Sequence, residues 1–168
     1  MEKWKKIQQK IVDIETLEKK VAIWKMKSDQ IVFTNGCFDL FHEGHAYIIA
    51  EAAAKGHRLI VGLNSDASVR LLKGAHRPIN NEQSRAKVLA SLLYVDAVVL
   101  FDEETPLNLI KILNPDVLVK GGDYKVENIV GADEVLSQGG KVEIIPLIKG
   151  ESSSNMIEKI RNSDADKS

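Results

Sequence analysis

The first thirty residues carry apolar side chains at intervals of three and four positions. This spacing is typical of an amphipathic helix, because it places the apolar side chains on one face. The positions are Ile7, Ile11, Ile14, Leu17, Val21 and Trp24. Asp13 lies within the pattern and favours a division into two helices. The spacing predicts an N-terminal helical segment over residues 1–28 that packs on the rest of the chain.

Beyond this segment, five short apolar runs alternate with stretches of helical spacing. The runs are Gln30–Thr34, His57–Asn64, Ala97–Phe101, Asp116–Lys120 and Val142–Pro146. Strands that alternate with helices build parallel sheets, and the helices cover both faces. The sequence therefore predicts an α/β fold, in which a doubly wound, Rossmann-like, parallel five-stranded sheet follows the N-terminal helical segment.

Residues that favour helix ends mark the joints of this pattern. Thr105 and Pro106 are typical of an N-cap and a first helical turn, and Asn80 with Gln83 resembles a capping box. Gly56 follows a helix expected over about residues 45–55, and we predict a left-handed conformation there. Ligands of doubly wound sheets bind beyond the carboxyl ends of the strands. The loops to inspect are residues 35–45, 65–80, 121–124 and 147–154.

Length and charge limit the classes of partner. The 168 residues suffice for one core, so we expect a main domain over residues 29–161 and a polar tail, 162–168, that frays. Lysine and arginine number 23 against 24 acidic residues, and the net charge of -1 favours neither a nucleic acid nor an anionic membrane as partner. The apolar face of the N-terminal segment is compatible with a homodimer.

The chain also lacks the patterns of exported and membrane proteins. It has no apolar run of about 18 residues, and its first thirty residues are rich in lysine and glutamate, which predicts a cytoplasmic protein. The single cysteine, Cys37, excludes an intrachain disulfide.

The loop after the first predicted strand concentrates polar chemistry. Asn35 and Gly36 leave the strand, and a helix begins soon afterwards, so that backbone N–H groups at its N-terminus can face an anion. His42 and His45 lie three residues apart, on one helical face, and Gly44 leaves room for a phosphate. Two imidazoles so placed can donate hydrogen bonds to a phosphoryl centre as negative charge develops. The loop therefore predicts a phosphate site.

Other roles for these residues stay open on local chemistry alone. A lone histidine is commonly a surface or core residue. Asp39, His42 and His45 would supply three of the four ligands that a structural zinc usually has, but no further ligand set lies nearby in the sequence. Cys37 has no neighbouring base or resolving thiol that would make it a nucleophile.

The pattern Gly36-x-Phe38-Asp39-x-x-His42-x-Gly44-His45 resembles the signature of the cytidylyltransferase-like superfamily of α/β nucleotidyltransferases, in which the histidines form an HxGH motif. One branch, the D-glycero-β-D-manno-heptose 1-phosphate adenylyltransferases, is similar over nearly the whole of residues 10–161. The segments that carry this likeness are residues 32–39, 64–69, 77–80 and 115–124.

The resemblance implies a reaction. Enzymes of that branch form ADP-heptose and pyrophosphate from ATP and heptose 1-phosphate, for the lipopolysaccharide core, and they are often fused to a sugar kinase. The resemblance implies the same transfer here, on a sugar phosphate that a separate kinase supplies. An oxygen of the sugar phosphate would attack the α-phosphorus of ATP directly, with Mg²⁺ on the triphosphate and Asp39 as its nearest candidate protein ligand.

The resemblance also implies roles for individual residues. His42, His45 and Lys73 are the expected catalytic residues. The expected nucleotide-binding residues are Asn35, Gly36, Cys37, Phe38, Gly44, Gly121, Asp123, Ser152, Ser153 and Ser154. The expected acceptor-binding residues are Asp39, Arg85 and Lys120. Lys73 as a solvated charge, Arg85 in a surface salt bridge and Gly121 in a plain turn are the simpler alternatives. Where the superfamily often has an arginine before the serines, this chain has Lys149 and Glu151, and Lys149 would act with a different geometry.

Three other functions compete with this one. The histidine loop selects neither base nor acceptor, so the transfer of CMP from CTP to glycerol 3-phosphate or another phosphoalcohol stays open. An HxGH-type synthetase is disfavoured, because Lys25–Ser28, which resembles its second signature, precedes the histidines. A non-catalytic nucleotide-binding regulatory module has less need of the histidine pair together with Lys73 and the three serines.

Overall fold

The computed structural model describes residues 1–148 and 152–165. These residues form one sheet with strands β1 (Ile31–Gly36), β2 (Arg58–Asn64), β3 (Ala97–Phe101), β4 (Val117–Gly121) and β5 (Lys141–Ile145). The strand order is β3-β2-β1-β4-β5, and every neighbouring pair is parallel. The predicted five-stranded, Rossmann-like parallel sheet is therefore confirmed. The order reverses beside β1, and this reversal opens a crevice at the carboxyl ends of β1 and β4.

Helices connect the strands and cover both faces of the sheet. They are α1 (Glu2–Gln8), α2 (Ile14–Met26), α3 (Glu43–Ala53), α4 (Asp66–Lys73), α5 (Glu82–Ser91), α6 (Leu107–Leu113), α7 (Ala132–Ser137) and α8 (Ser153–Ala165), with a 3-10 turn at Val126–Asn128. Within residues 1–148 and 152–165, each helix is too short or too polar to reach across a lipid bilayer.

Alternate residues of each strand point to opposite faces, and so the core has two halves. From β1, Ile31 and Phe33 pack in one apolar cluster with α2, α6 and α7. Val32, between them, packs in a second cluster with α3 and α5. Because both faces are covered, the strands are apolar along most of their length, and polar residues lie where the strands end.

The N-terminal segment covers one edge of the sheet. Helix α1 ends at Gln8, and Asp13 caps α2, where its side chain accepts a hydrogen bond from the Thr16 backbone N–H at 2.7 Å. Between the two helices, the Val12 N–H donates to the Val98 carbonyl at 3.0 Å, and the Val98 N–H donates to the Lys10 carbonyl at 2.8 Å. The linker thereby pairs with β3, which would otherwise expose an unpaired strand edge.

The predicted left-handed conformation of Gly56 is wrong. Helix α3 ends at Ala53, and the φ angle of Gly56 is not positive. A Cβ at this position would lie 2.6 Å from Val32 Cγ2 and 3.0 Å from the Gln30 carbonyl oxygen. Close packing against β1, and not the helix end, therefore requires the glycine.

The two predicted helix caps are each displaced. Asn81, and not Asn80, caps α5, and its side chain accepts a hydrogen bond from the Ser84 N–H at 2.9 Å. Pro106 occupies the N-cap position of α6, so Thr105 lies one residue too early to cap it. At the other end of the chain, α8 continues to Ala165, into the stretch predicted to fray, and residues 166–168 lie outside the described part.

Candidate active site

A cleft of about 650 Å³ opens at the carboxyl ends of the strands. The loops after β1, β2, β4 and β5 all contribute to it, as the parallel topology requires. Most of the sequence-predicted site residues line this cleft: Asn35, Gly36, Cys37, Phe38, Asp39, His42, Gly44, His45, Lys73, Lys120, Gly121, Ser152, Ser153 and Ser154. Asp123 and Arg85 do not line it. Residues separated by more than a hundred positions thus share one surface.

The two histidines form a stacked pair at the start of α3. His42 occupies the N-cap position, and the ring centroids of His42 and His45 lie 3.9 Å apart at an interplanar angle of 27°. The Nδ1 atoms of both rings are buried and lack a hydrogen-bond partner among residues 1–148 and 152–165. Both rings line the cleft, and the Leu40 backbone is a polar neighbour of the His45 ring.

The environment of His45 keeps its imidazole neutral. Burial, followed by the neighbouring charge of His42, lowers the pKa of His45 from 6.5 to about 4. The ring also packs against Phe38, at a centroid distance of 5.1 Å, and against Phe41, at 5.7 Å. At neutral pH the free protein therefore presents a His45 ring with one N–H, which can donate to a phosphate oxygen without carrying a full charge.

Phe38 fixes the path of the loop that leads to the histidines. Its φ is 45°, a left-handed conformation that side chains rarely adopt, and the residue is buried. A Cβ at Gly36 would lie 3.0 Å from Phe38 Cε2, so the glycine makes room for the ring. Between them, burial raises the pKa of the Cys37 thiol, which disfavours a thiolate nucleophile. The loop is thus held by packing around Phe38.

Asp39 anchors a second loop against the first. Its buried carboxylate accepts hydrogen bonds from Arg77 Nε at 2.6 Å, from the Ile79 N–H at 2.8 Å and from the Asn80 N–H at 2.9 Å. The Asn80 side chain donates to the Asp39 carbonyl at 2.9 Å. Burial alone would raise the pKa of Asp39, but the hydrogen bonds from Asn80, Ile79 and Arg77 hold it below the ordinary value.

These partners conflict with Asp39 as a magnesium or acceptor ligand. The carboxylate is engaged by three protein donors, and the described residues contain no group of three His, Cys, Asp or Glu side chains that could hold a metal ion. Within residues 1–148 and 152–165, the side chains therefore do not fit a magnesium site built by the protein alone. A magnesium ion carried on the phosphates of a nucleotide needs few protein ligands, and it stays a prediction in that form.

The expectation that Arg85 binds the acceptor phosphate also conflicts with the structure. Its side chain is fully buried, and its guanidinium donates to the carbonyls of Asn80 at 2.9 Å, Cys37 at 2.6 Å and Asn64 at 2.8 Å. A fourth bond joins it to Asp66 Oδ1 at 2.7 Å. Arg85 therefore connects the loops after β1 and β2 through hydrogen bonds beneath the cleft. Its side chain is not accessible to a substrate.

Two lysines approach the cleft from different loops. Lys73, the last residue of α4, is exposed at one side. Lys120, at the end of β4, is partly buried, and its Nζ lies 3.4 Å from Asn35 Oδ1 and 5.9 Å from the centre of the Tyr124 ring. Burial lowers the pKa of Lys120. An amine without a carboxylate partner among the described residues is suited to an anionic or hydroxyl-bearing group of a ligand.

The serine triplet begins helix α8 at the mouth of the cleft. Ser152 Oγ accepts a hydrogen bond from the Asn155 N–H at 3.0 Å, as an N-cap does. Ser153 Oγ donates to the Leu40 carbonyl at 3.1 Å, which joins α8 to the histidine loop. Two helix N-termini, those of α3 and α8, thus line one cleft. Lys149 and Glu151 lie outside the described residues.

Some residues of the cleft received no role from the sequence. Arg77 and Tyr124 lie within segments that carry the family likeness, but nothing in their spacing indicates a ligand. An apolar wall is formed by Ile129, Val130, Leu147 and Ile148. A Cβ at Gly121 would collide with the Ile48 side chain, so the glycine allows β4 to pack closely against α3. Apolar residues in loops resemble core residues in a sequence, so only the fold could reveal this wall.

The part of the chain that forms the cleft is similar to a known protein family. The family model described as cytidylyltransferase-like matches residues 33–159, which run from β1 through the histidine pair to α8. This chain belongs to the cytidylyltransferase-like family. The matched region includes both histidines, Lys73 and the serine triplet. All residues that line the cleft therefore lie within the part of the chain that matches the family.

Individual proteins are also similar in sequence to this cytidylyltransferase-like chain. It is 55% identical over 152 residues to the bifunctional protein HldE of Koribacter versatilis, and 54% identical over 153 residues to that of Caulobacter vibrioides. These alignments cover 90% and 91% of this chain but 31% and 32% of the relatives, so the chain spans about a third of their length.

Solved structures share the fold. The lipopolysaccharide core biosynthesis protein of Thermoplasma volcanium matches with a TM-score of 0.58 and 26% identity, over 73% of this chain and 99% of that one. Pantoate-beta-alanine ligase of Francisella tularensis, in complex with an ATP analogue and beta-alanine, matches with a TM-score of 0.58 over 90% of this chain and 78% of that one. At 18% identity, this second likeness concerns the fold alone.

Proposed function

We propose that this chain transfers AMP from ATP to D-glycero-β-D-manno-heptose 1-phosphate, with release of pyrophosphate. The observation that carries the nucleotidyl transfer is the stacked pair of His42 and His45, which lines a cleft together with two helix N-termini. The resemblance of residues 32–39, 64–69, 77–80 and 115–124 to the heptose 1-phosphate adenylyltransferases supports the choice of acceptor, and so does the likeness to a lipopolysaccharide core biosynthesis protein.

The chemistry follows from what the cleft offers. An oxygen of the sugar phosphate attacks the α-phosphorus of ATP, the P–O bond to the β-phosphate breaks, and pyrophosphate leaves with the electron pair. The attacking phosphate is already ionised at neutral pH, so no general base is required. His42 and His45 donate hydrogen bonds to the oxygens of the α-phosphorus, and these bonds strengthen as charge develops. Lys73 and the N-terminus of α8 hold the leaving phosphates.

The remainder of the cleft accommodates the nucleoside. Ile129, Val130, Leu147 and Ile148 provide an apolar surface for a base. Catalysis then rests on positioning and charge neutralisation, because in-line phosphoryl chemistry needs little covalent participation by the protein.

A panel of substrates tests this proposal. Purified protein is incubated with magnesium and either ATP or CTP, together with heptose 1-phosphate or glycerol 3-phosphate, and pyrophosphate release is measured. We expect turnover with ATP and heptose 1-phosphate, and at most weak turnover with the other three pairs. A preference for CTP, or for glycerol 3-phosphate, would overturn the assignment of substrates and favour the cytidylyltransferase alternative.

A further inference from the structure

Glu104 places a negative charge in a cleft that is otherwise suited to anions. Among the described residues that line the cleft, Asp39 and Glu104 carry the carboxylates. Asp39 is buried and paired with Arg77, so its charge is compensated. Glu104 is exposed, and it takes part in none of the ion pairs or hydrogen bonds found within residues 1–148 and 152–165. Its charge repels phosphorylated substrates, unless it faces an uncharged part of a ligand.

The loop that carries Glu104 is fixed at both of its sides. Before it, the Glu103 carbonyl accepts a hydrogen bond from Ser68 Oγ at 2.9 Å, and Ser68 Oγ accepts one from Asn64 Nδ2 at 2.9 Å. Ser68 is fully buried. After it, Pro106 is buried as well. Glu104 and Thr105 thus line the cleft from a held stretch of backbone, and less freedom is lost when a ligand binds them.

The side chains of Glu104 and Thr105 are matched to hydroxyl groups. A carboxylate only accepts hydrogen bonds, and its two oxygens can accept from two neighbouring hydroxyls. The hydroxyl of Thr105 both donates and accepts. An ionised phosphate offers no donor to Glu104, whereas a sugar or a polyol offers several. The pair therefore suits the hydroxyl-bearing part of a substrate, which is either the ribose of ATP or the carbon skeleton of the acceptor.

The geometry of the transfer favours the acceptor. The histidines begin α3, which packs in the apolar cluster on one face of the sheet, and Ser153 joins α8 to the same loop. Thr105 leads towards α6, which packs in the cluster on the opposite face. In-line transfer requires the attacking oxygen to lie opposite the leaving pyrophosphate, which the N-terminus of α8 holds in this reaction. The acceptor then approaches from the side of α6, where Glu104 lies.

The strand order also separates Glu104 from the nucleoside. The base is assigned to the apolar wall in the loops after β4 and β5. In the order β3-β2-β1-β4-β5, the loop after β3 lies at the opposite edge of the sheet from the loop after β5. The ribose stays close to the base to which it is bonded, so the hydroxyls nearest to Glu104 belong to the acceptor.

We propose that Glu104, together with Thr105, binds hydroxyl groups of the acceptor substrate and thereby selects a phosphate ester of a sugar or polyol. This inference rests on the proposed function, because it assigns a subsite within that reaction. It concerns the hydroxyl groups alone, and so it applies to heptose 1-phosphate and to glycerol 3-phosphate alike.

Removal of the charge at Glu104 gives a test in which two explanations predict opposite signs. In Glu104→Gln one acceptor oxygen remains, and we expect the KM for heptose 1-phosphate at saturating ATP to rise about tenfold. Glu104→Ala should raise it further. If Glu104 is only a surface charge, the same substitutions relieve repulsion and lower this KM. The matched control, Glu103→Gln, removes the neighbouring charge outside the cleft, and its KM should stay within about twofold of the wild type.

Binding measurements distinguish the acceptor from the ribose and do not need turnover. Calorimetry gives the affinity for a non-reactive ATP analogue and then, with the analogue bound, the affinity for the acceptor. We expect Glu104→Gln to weaken acceptor binding about tenfold and analogue binding less than about twofold. An equal loss for the analogue would assign Glu104 to the ribose, and an unchanged or tighter acceptor would remove it from the site; either result overturns the proposal.

The same measurements separate this inference from the proposed function. If the wild type releases no pyrophosphate, or prefers glycerol 3-phosphate, the proposed function fails. The affinity of Glu104→Gln for the acceptor that the wild type binds then still decides the role of Glu104. A wild type that binds neither acceptor would overturn both proposals.

Discussion

The two imidazoles at the start of α3 lie too close together for both to be charged without strong repulsion. Their ring centroids are 3.9 Å apart, and burial together with His42 lowers the pKa of His45 to about 4. A phosphate that accepts a hydrogen bond from His45 favours the protonated ring, which opposes both effects. The His45 ring is therefore neutral in the free protein at neutral pH, and a bound anion would favour its protonated form.

The titration of His45 should show this behaviour. In the free protein, NMR of the imidazole should give a pKa for His45 well below 6.5, and saturating ATP should raise it. Because the folded pKa lies below the unfolded one, the unfolded chain binds more protons between about pH 4 and 6.5. Stability should therefore fall as the pH drops through this window, and His45→Gln should lessen the fall in urea unfolding. His76→Gln, at an exposed histidine, is the control and should not. A normal pKa for His45 would contradict the account.

Arg85 gives a second prediction at this scale. Its removal leaves three carbonyls and the Asp66 carboxylate without their donor. We expect Arg85→Leu to lower the free energy of unfolding by about 2–3 kcal/mol in urea titrations. Arg70→Leu, at an exposed site of the neighbouring helix, should change it by less than about 0.5 kcal/mol. Equal effects of the two substitutions would refute the anchoring role of Arg85.

At the scale of the element, a substitution at Gly56 can distinguish two reasons for a glycine at this position: a left-handed backbone at a helix end, or close packing against β1. A left-handed position tolerates asparagine, whereas a position closed by packing tolerates no side chain. Since a Cβ at Gly56 would meet Val32 and the Gln30 carbonyl, Gly56→Asn should lower the free energy of unfolding by about 1–3 kcal/mol. Gly139, with φ of 81° and open space around it, is the control, and Gly139→Asn should cost less. A larger loss of stability in Gly139→Asn than in Gly56→Asn would instead favour a left-handed conformation at Gly56.

The sequence predicts those elements whose patterns are local. The five strands and their parallel arrangement follow from apolar runs separated by helical stretches, and Asp13 marks the division of the N-terminal segment correctly. The predicted caps at Asn80 and Thr105 are each one residue too early. Asn80 is bound to Asp39, forty-one positions away, and no local pattern contains that contact.

The same reason limits prediction of the site. The histidine pair and the serines have local signatures, and the structure brings them into one cleft. The burial of Arg85, the cleft position of Arg77 and the apolar wall depend on how loops from different strands meet. An arginine on a helix is usually exposed, so nothing in the local sequence of Arg85 opposed the ligand role that the family resemblance implies, whereas the fold buries its side chain.

At the scale of the whole molecule, the N-terminal segment completes the sheet. The linker between α1 and α2 pairs with Val98 and covers the edge of β3, and Ile7 and Ile11 pack against the core. Deletion of residues 1–12 should therefore lower the thermal midpoint and promote association, because it exposes a strand edge and apolar surface. Light scattering and thermal unfolding of the two forms would measure both effects. A truncated protein with unchanged midpoint and size would show that the edge needs no cover.

The central claim is that this cleft catalyses nucleotidyl transfer and does more than bind a nucleotide. The most direct measurement compares His42→Ala with the wild type in two assays, turnover with ATP and heptose 1-phosphate, and calorimetric affinity for ATP. The account predicts that kcat falls about 10²- to 10³-fold, because a donor to the developing charge is lost, while ATP affinity changes much less. Equal losses in both, or no measurable pyrophosphate release by the wild type, would contradict it and favour a binding module.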